Sequence, residues 1–246
     1  MTQLGIIGGS GLTALSGLRV LRRQMQQTPW GEPSGPLVVG EFAGREVIFL
    51  PRHGQPHAIP PHKINYRANL WALHEIGVRR VVAVNAVGGI SAELDPGTLV
   101  IPDQIIDYTW SRPQTYFDSG LDRVTHVDFT EPYCREMRDL LLATATSLGL
   151  APCAGGTYGA TQGPRLESAA EITRLERDGC HVVGMTGMPE AALARELGLD
   201  YACICVVANR AAGKSAEPIT LELIQAHLDQ GMQKALRLLQ ALIPQL

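Results

Sequence analysis

Arg52 and His53 stand side by side after a short apolar run, in FLPRHGQPHAIPPHKINYRAN, and a guanidinium next to an imidazole at a strand end makes an anion site. The planar fork of Arg52 can grip two oxygens of one phosphate group, and His53 adds a donor that depends on its protonation. A surface arginine beside a hydrogen-bonded histidine would read the same in isolation. The case therefore rests on the company this pair keeps.

Three other segments repeat the theme. Gly5-Ile-Ile-Gly8-Gly9-Ser10-Gly11 follows the first apolar run, so its glycines allow a tight turn with N–H groups facing a ligand, and Ser10 offers a hydroxyl. Residues 81–84 lead into Asn85-Ala86-Val87-Gly88-Gly89, small residues against which a ligand can lie at the carboxyl edge of a sheet. Met185-Thr186-Gly187-Met188-Pro189-Glu190 has the order apolar strand, hydroxyl, glycine, helix, and Thr186 there can donate to phosphate or cap the helix. Ser10, Arg52, His53, Ala86 and Thr186 are thus the candidate oxyanion ligands. Neither a G-x-x-x-x-G-K motif nor an acidic cluster for magnesium occurs, so free orthophosphate is expected rather than a hydrolysed nucleotide. Gly9-Ser-Gly11-Leu-Thr-Ala14 also fits a dinucleotide fingerprint. Gly17 interrupts the helix such a site needs, and Pro29-Trp-Gly31-Glu-Pro33 stands where an acidic strand end belongs, which disfavours a nicotinamide enzyme.

The elements that position these residues alternate along the chain. Short apolar runs at 4–7, 37–42, 47–50, 81–84, 99–101, 181–185 and 201–207 predict strands buried on both faces. Helical patterns cover 65–76, 131–148, 167–177, 189–197 and 219–242. Phe42-Ala-Gly44-Arg45 reads as a hairpin turn, so at least one strand pair is antiparallel. The predicted fold is an α/β sandwich, a single domain over residues 1–246, with a central mixed sheet flanked by helices. Residues 107–130, rich in Asp, Arg, Pro and aromatics, are too long for a plain connection and are expected to cover a site or reach a neighbouring subunit.

Composition narrows the function classes. With 246 residues, 45% hydrophobic and 18% charged, the chain can build a substantial core. A net charge of −3 gives no electrostatic reason to expect nucleic acid or an anionic membrane as partner. Cys134, Cys153, Cys180, Cys203 and Cys205 lack metal-ligand spacing and read as small buried hydrophobes in a reducing compartment. No secretory leader and no membrane-spanning run is expected, and the protein is expected in the cytoplasm.

GIIGGSGL, PRHGQPH with NYRANLWAL, VNAVGGI, IPDQIID, GPRLES, GMTGMPEAALARELG and YACICVVAN, in that order over nearly the whole chain, resemble the trimeric purine nucleoside phosphorylase and 5′-methylthioadenosine phosphorylase family. The resemblance implies a homotrimer that splits the glycosidic bond of a purine nucleoside with orthophosphate as co-substrate, without cofactor or metal. It places Ser10, Arg52, His53, Ala86 and Thr186 on phosphate and adds Met185 against the ribose. His126, in THVDFTEP, matches a residue that members contribute from the neighbouring subunit.

The two base-recognition positions that the resemblance implies are Glu167 and Asn209. Methylthioadenosine phosphorylases carry Ser and Asp there, and inosine or guanosine phosphorylases Glu and Asn. A 6-oxopurine presents an N1–H donor and an O6 acceptor, complementary to a carboxylate and an amide N–H. Adenine reverses both, and mismatched buried polar groups can discriminate by roughly 10⁴-fold. Ala211 replaces a second Asp of the adenine pattern. On the 5′ side, inosine phosphorylases place a histidine fourteen residues beyond the Asn, which is Leu223 here and would suit a methylthio group better than a hydroxyl. Leu166 stands where the family usually has a Phe against the base.

A 6-oxopurine joined to a 5′-methylthio ribose is 5′-methylthioinosine, and its phosphorolysis is the expected reaction, with Asn209 stabilising the departing purine and Glu167 fixing it. An inosine or guanosine phosphorylase, a methylthioadenosine phosphorylase and a phosphate or nucleoside sensor without turnover are the alternatives.

Overall fold

The apolar runs that follow one another at 4–7, 47–50, 81–84 and 201–207 lie next to one another in space and form the centre of a single sheet. The computed structural model describes residues 3–215 and 220–246. In chain order its strands are β1 (Gln3–Gly8), β2 (Arg19–Gln24), β3 (Leu37–Phe42), β4 (Arg45–Pro51), β5 (Val78–Gly89), β6 (Leu99–Ile101), β7 (Gln104–Asp107), β8 (Cys153–Ala154), β9 (Thr157–Ala160), β10 (Cys180–Gly184) and β11 (Asp200–Arg210). The helices are α1 (Tyr66–Glu75), α2 (Arg135–Ser147), α3 (Ala169–Arg177), α4 (Glu190–Glu196) and α5 (Leu221–Leu242).

The strand order is β2-β3-β4-β1-β5-β10-β9-β7, with β11 on the other edge of β5 and β6 and β8 beyond it. The sheet is mixed: β1 is parallel to β4 and β5, whereas β3 is antiparallel to β4 through the hairpin that closes at Phe42 and Arg45. Alternate residues of the central strands feed two cores. Ile7, Val81, Ala83, Cys203 and Cys205 face α1 and α4, and Ile6, Val82, Val84, Ile204 and Val206 face α2 and α5. Both faces being covered, these strands read as unbroken apolar runs.

One break in pairing sets the place of the site. Along one edge of β5, β1 pairs as far as Gly8 opposite Val84, and β10 takes over only at Val183 opposite Gly88. Residues 85–87 therefore face a gap between two strand ends at the carboxyl side of β1. Such a change of neighbour is where open α/β sheets bind ligands.

Several expected boundaries move. The helix expected from residue 167 starts at Ala169, because Ser168 accepts from the Glu171 N–H and the Glu171 carboxylate accepts from the Ser168 N–H, a reciprocal capping box. Glu167 is left outside the helix and free of capping. The helix expected from 131 begins at Arg135, and the one expected from 219 is capped by Thr220, with Ile219 outside the described residues. β2, β7, β8 and β9 were not expected, being either exposed and arginine-rich or only two to four residues long. No helix follows the glycine turn after β1, which leads instead into β2, so the dinucleotide arrangement is absent.

Candidate active site

Gly8 and Gly9 leave β1 where no side chain fits. A Cβ on Gly8 would lie 2.1 Å from the Leu12 carbonyl oxygen, and one on Gly9 would lie 2.7 Å from Arg52 Nη1 and 2.8 Å from the Val84 carbonyl oxygen. The turn is thus pressed onto the arginine that leaves β4, and Ser10 follows at the cavity wall.

Arg52 is wholly buried. Its Nε and Nη2 donate to the two carboxylate oxygens of Glu190 at 2.7 and 2.8 Å, Nη2 also donates to Asn85 Oδ1 at 2.8 Å, and Nη1 donates to the Val84 carbonyl at 3.2 Å. Four of its five N–H groups are spent inside the protein, which leaves one on Nη1. The expected two-oxygen grip on phosphate is corrected accordingly: the fork clasps Glu190. Burial opposes the arginine's charge, but Glu190 beside it holds the pKa above the ordinary arginine value.

His53 Nδ1 lies 2.8 Å from the Ile59 carbonyl oxygen, which can only accept, so Nδ1 carries the proton. Burial first, and then the neighbouring Arg52 charge, push its pKa down to about 4. At neutral pH the ring is uncharged and offers Nε2 as an acceptor, the reverse of the donor expected from sequence.

Thr186 and Met185 leave β10 through a turn that Tyr158 packs from below. A Cβ on Gly184 would lie 2.1 Å from the Tyr158 oxygen, and one on Gly187 would lie 3.0 Å from its ring. Thr186 is buried and lines the same cavity as Ser10, Arg52, His53 and Ala86. Arg112, from the connection after β7, lies behind this turn and donates to the carbonyls of Met185 and Met188.

The other end of the cavity holds the base candidates. Glu167 is half-buried, and its Oε1 accepts from the Thr161 hydroxyl at 2.6 Å. Asn209 reaches the cavity because β11 bulges between Val207 and Asn209, shifting its register on β5. Its Nδ2 donates to the Arg210 carbonyl at 2.7 Å, leaving one amide hydrogen and Oδ1 for a ligand. Ala211 and Leu166 also line the wall, the latter 47% exposed.

Two expected residues lie elsewhere. Leu223 is 40% exposed and is not part of the lining; Ile224 and Leu228 of α5 are. The inward face of the helix runs through Leu228, Met232 and Ala235, and Ile224, one turn before Leu228, belongs to it. The apolar wall exists, then, but on the neighbouring residue. His126 is exposed in the 108–134 connection and does not line the cavity.

Glu190, Thr161, Arg112, Ile224 and Leu228 escaped the sequence reading. Only the last two carried a usable signal, their four-residue spacing on an amphipathic helix. As built, the cavity has hydroxyls backed by the buried Arg52 at one end, a carboxylate and an amide at the other, and a thioether and aliphatic side chains between. It can hold a small oxyanion against a molecule that carries a planar N–H heterocycle and an apolar substituent.

A family model described as the phosphorylase superfamily matches residues 3–244. A probable S-methyl-5′-thioinosine phosphorylase from Pseudomonas syringae pv. tomato is 53% identical over 234 residues, covering 95% of each chain. A 6-oxopurine nucleoside phosphorylase from Pyrococcus furiosus is 47% identical over 249 aligned positions, covering 99% of this chain and 93% of that one. Among solved structures, methylthioadenosine phosphorylase from Schistosoma mansoni in complex with adenine matches with a TM-score of 0.95 at 32% identity, covering 100% of this chain and 92% of that chain.

Proposed function

Because the chain belongs to the phosphorylase superfamily, we propose that it is a nucleoside phosphorylase, a pentosyltransferase that converts 5′-methylthioinosine and orthophosphate to hypoxanthine and 5-methylthioribose 1-phosphate. The observation that carries this reading is one cavity with Glu167 and Asn209 at one end, the oxyanion residues at the other, and Ile224 and Leu228 in its wall.

The chemistry follows from these positions. A phosphate oxygen bonds to C1′ as the C1′–N9 bond breaks, and the bonding pair leaves with the purine, which becomes hypoxanthine by taking up, through solvent, the proton that the monohydrogen phosphate gives up on becoming the sugar phosphate. Ser10 and Thr186 hydroxyls, the remaining Nη1 hydrogen of Arg52 and the open edge of β5 at Ala86 hold the phosphate, whose charge stabilises the ribosyl cation beside it. Nε2 of His53 accepts the hydrogen of a monohydrogen phosphate. Glu167 accepts N1–H of the base, and the free amide hydrogen of Asn209 meets charge developing on the departing purine. Met185 lies against the ribose, Ala211 leaves room beside the base, and Ile224 with Leu228 takes the methylthio group. No resident cofactor is used.

The same reading carries a homotrimer in which the partner's copy of the 108–134 connection brings His126 to the site, and a cytoplasmic place of work, consistent with five free cysteines. Among the described residues no helix is long and apolar enough to cross a membrane.

The resemblance to a 6-oxopurine nucleoside phosphorylase keeps inosine as the second candidate. Phosphate-dependent kcat/KM for 5′-methylthioinosine, inosine and 5′-methylthioadenosine, measured in parallel by base release, separates them. A preference of tenfold or more for methylthioinosine is expected. Preference for inosine overturns the reading of the apolar wall, preference for methylthioadenosine overturns that of the base pair of residues, and binding without turnover leaves a sensor.

A further inference from the structure

Arg112 is a buried cation that pairs with no carboxylate in any of its hydrogen bonds. Only 6% of it is exposed, and its acceptors are all neutral. Nη1 donates to the Met185 and Met188 carbonyls at 2.9 and 2.7 Å, and to the Tyr66 hydroxyl at 3.3 Å. Nη2 donates to the Thr161 and Gln162 carbonyls at 3.2 and 2.7 Å, and Nε donates to Gln162 Oε1 at 3.1 Å. Burying a charge without a counter-charge is costly, and only a close set of aligned dipoles makes it tolerable.

Those dipoles belong to two different loops. Met185 and Met188 bracket the turn after β10 that carries Thr186, at the oxyanion end of the cavity. Thr161 opens the loop after β9, and its hydroxyl holds the Glu167 carboxylate at 2.6 Å, at the base end. β9 and β10 are adjacent parallel strands, so the two loops leave the sheet side by side, joined at their roots by the hydrogen bond from the Thr161 N–H to the Gly184 carbonyl at 2.8 Å, and Arg112 bridges them beyond that bond. We propose that Arg112 is a positioning residue that ties the oxyanion turn to the base-recognition loop and so sets the span between the phosphate and purine subsites. This inference rests on the phosphorylase reading. The planar fork suits the task because its two nitrogens point at different loops in fixed geometry, which the single ammonium of a lysine cannot reproduce.

The test compares the full-length wild type with Arg112→Met and Arg112→Lys, each checked for native circular dichroism and assayed well below its Tm. Wild-type turnover of 5′-methylthioinosine comes first; its absence defeats the methylthioinosine reading and this inference with it, whereas wild-type turnover with unaffected variants defeats this inference alone. Given turnover, both variants are expected to raise the phosphate KM at least tenfold. They are also expected to shrink the kcat/KM ratio of methylthioinosine over methylthioadenosine at least tenfold, since one group governs both ends. A variant that loses only Tm, or changes only one of the two readouts, overturns the proposal. Should the Met variant not fold, the Lys variant decides alone.

Discussion

The Arg52 guanidinium and the Glu190 carboxylate, 138 residues apart in sequence and both without solvent exposure, meet in a two-point ion pair beneath the oxyanion end of the cavity. Tyr201 adds a hydrogen bond from its hydroxyl to Glu190 Oε1 at 2.8 Å. The arginine therefore stands beneath the cavity already neutralised and in fixed orientation, rather than as a free charge. Glu190→Gln should leave a buried guanidinium without its counter-charge and cost roughly 3–5 kcal/mol of stability. Equilibrium denaturation measures this, and an unchanged midpoint would refute the coupling.

His53 makes stability depend on pH. Its folded pKa of about 4 lies below the 6.5 of an unfolded histidine, so the unfolded chain takes up the proton first as pH falls. The contribution is fully present above pH 6.5 and is lost between 6.5 and 4, amounting to about 2 kcal/mol by pH 5. His53→Gln should flatten that part of the profile. Urea unfolding at pH 7 and pH 5 on both proteins checks it, and equal slopes would exclude His53 as the source.

Glu167→Ser combined with Asn209→Asp should reverse the donor and acceptor pattern at the base end. The kcat/KM ratio of 6-oxo to 6-amino methylthio nucleoside is expected to fall by about 10²-fold or more. A ratio that does not move would place base specificity elsewhere.

Ile224→His should favour inosine over methylthioinosine by roughly 1–3 kcal/mol, ten- to hundredfold in kcat/KM, because a polar ring replaces the apolar wall. Leu223→Ala, on the exposed face of the same helix, should leave that ratio where it was. The opposite pattern would restore Leu223 to the site and remove Ile224 from it.

Sequence made legible what lies at the ends of strands. Ser10, Arg52, His53, Ala86, Thr186 and Asn209 all follow apolar runs buried on both faces, and all line one cavity. Partnership across the fold was not legible: nothing local to Glu190 announces Arg52, and nothing in SRPQ announces that Arg112 will find six acceptors. Leu223 lies fourteen residues beyond Asn209, and a residue count carries no helical phase. That phase is set by the Thr220 cap and by the packing of Leu228 and Met232. β2 escaped because three of its six residues are arginines and most of the strand is exposed, so it shows no buried period.

Gly9 pressed against Arg52, with Gly8 pressed against Leu12 and Phe49, gives the two ends of the cavity different freedom to diverge. At the oxyanion end the glycine turn is packed against Arg52, which is locked by Glu190, Asn85 and Val84, so a side chain added to that turn collides. The purine end is walled by side chains on a bulge and a loop, each replaceable without disturbing the sheet. A lineage built on this scaffold can exchange one nucleobase for another by a handful of substitutions while its attacking group stays the same.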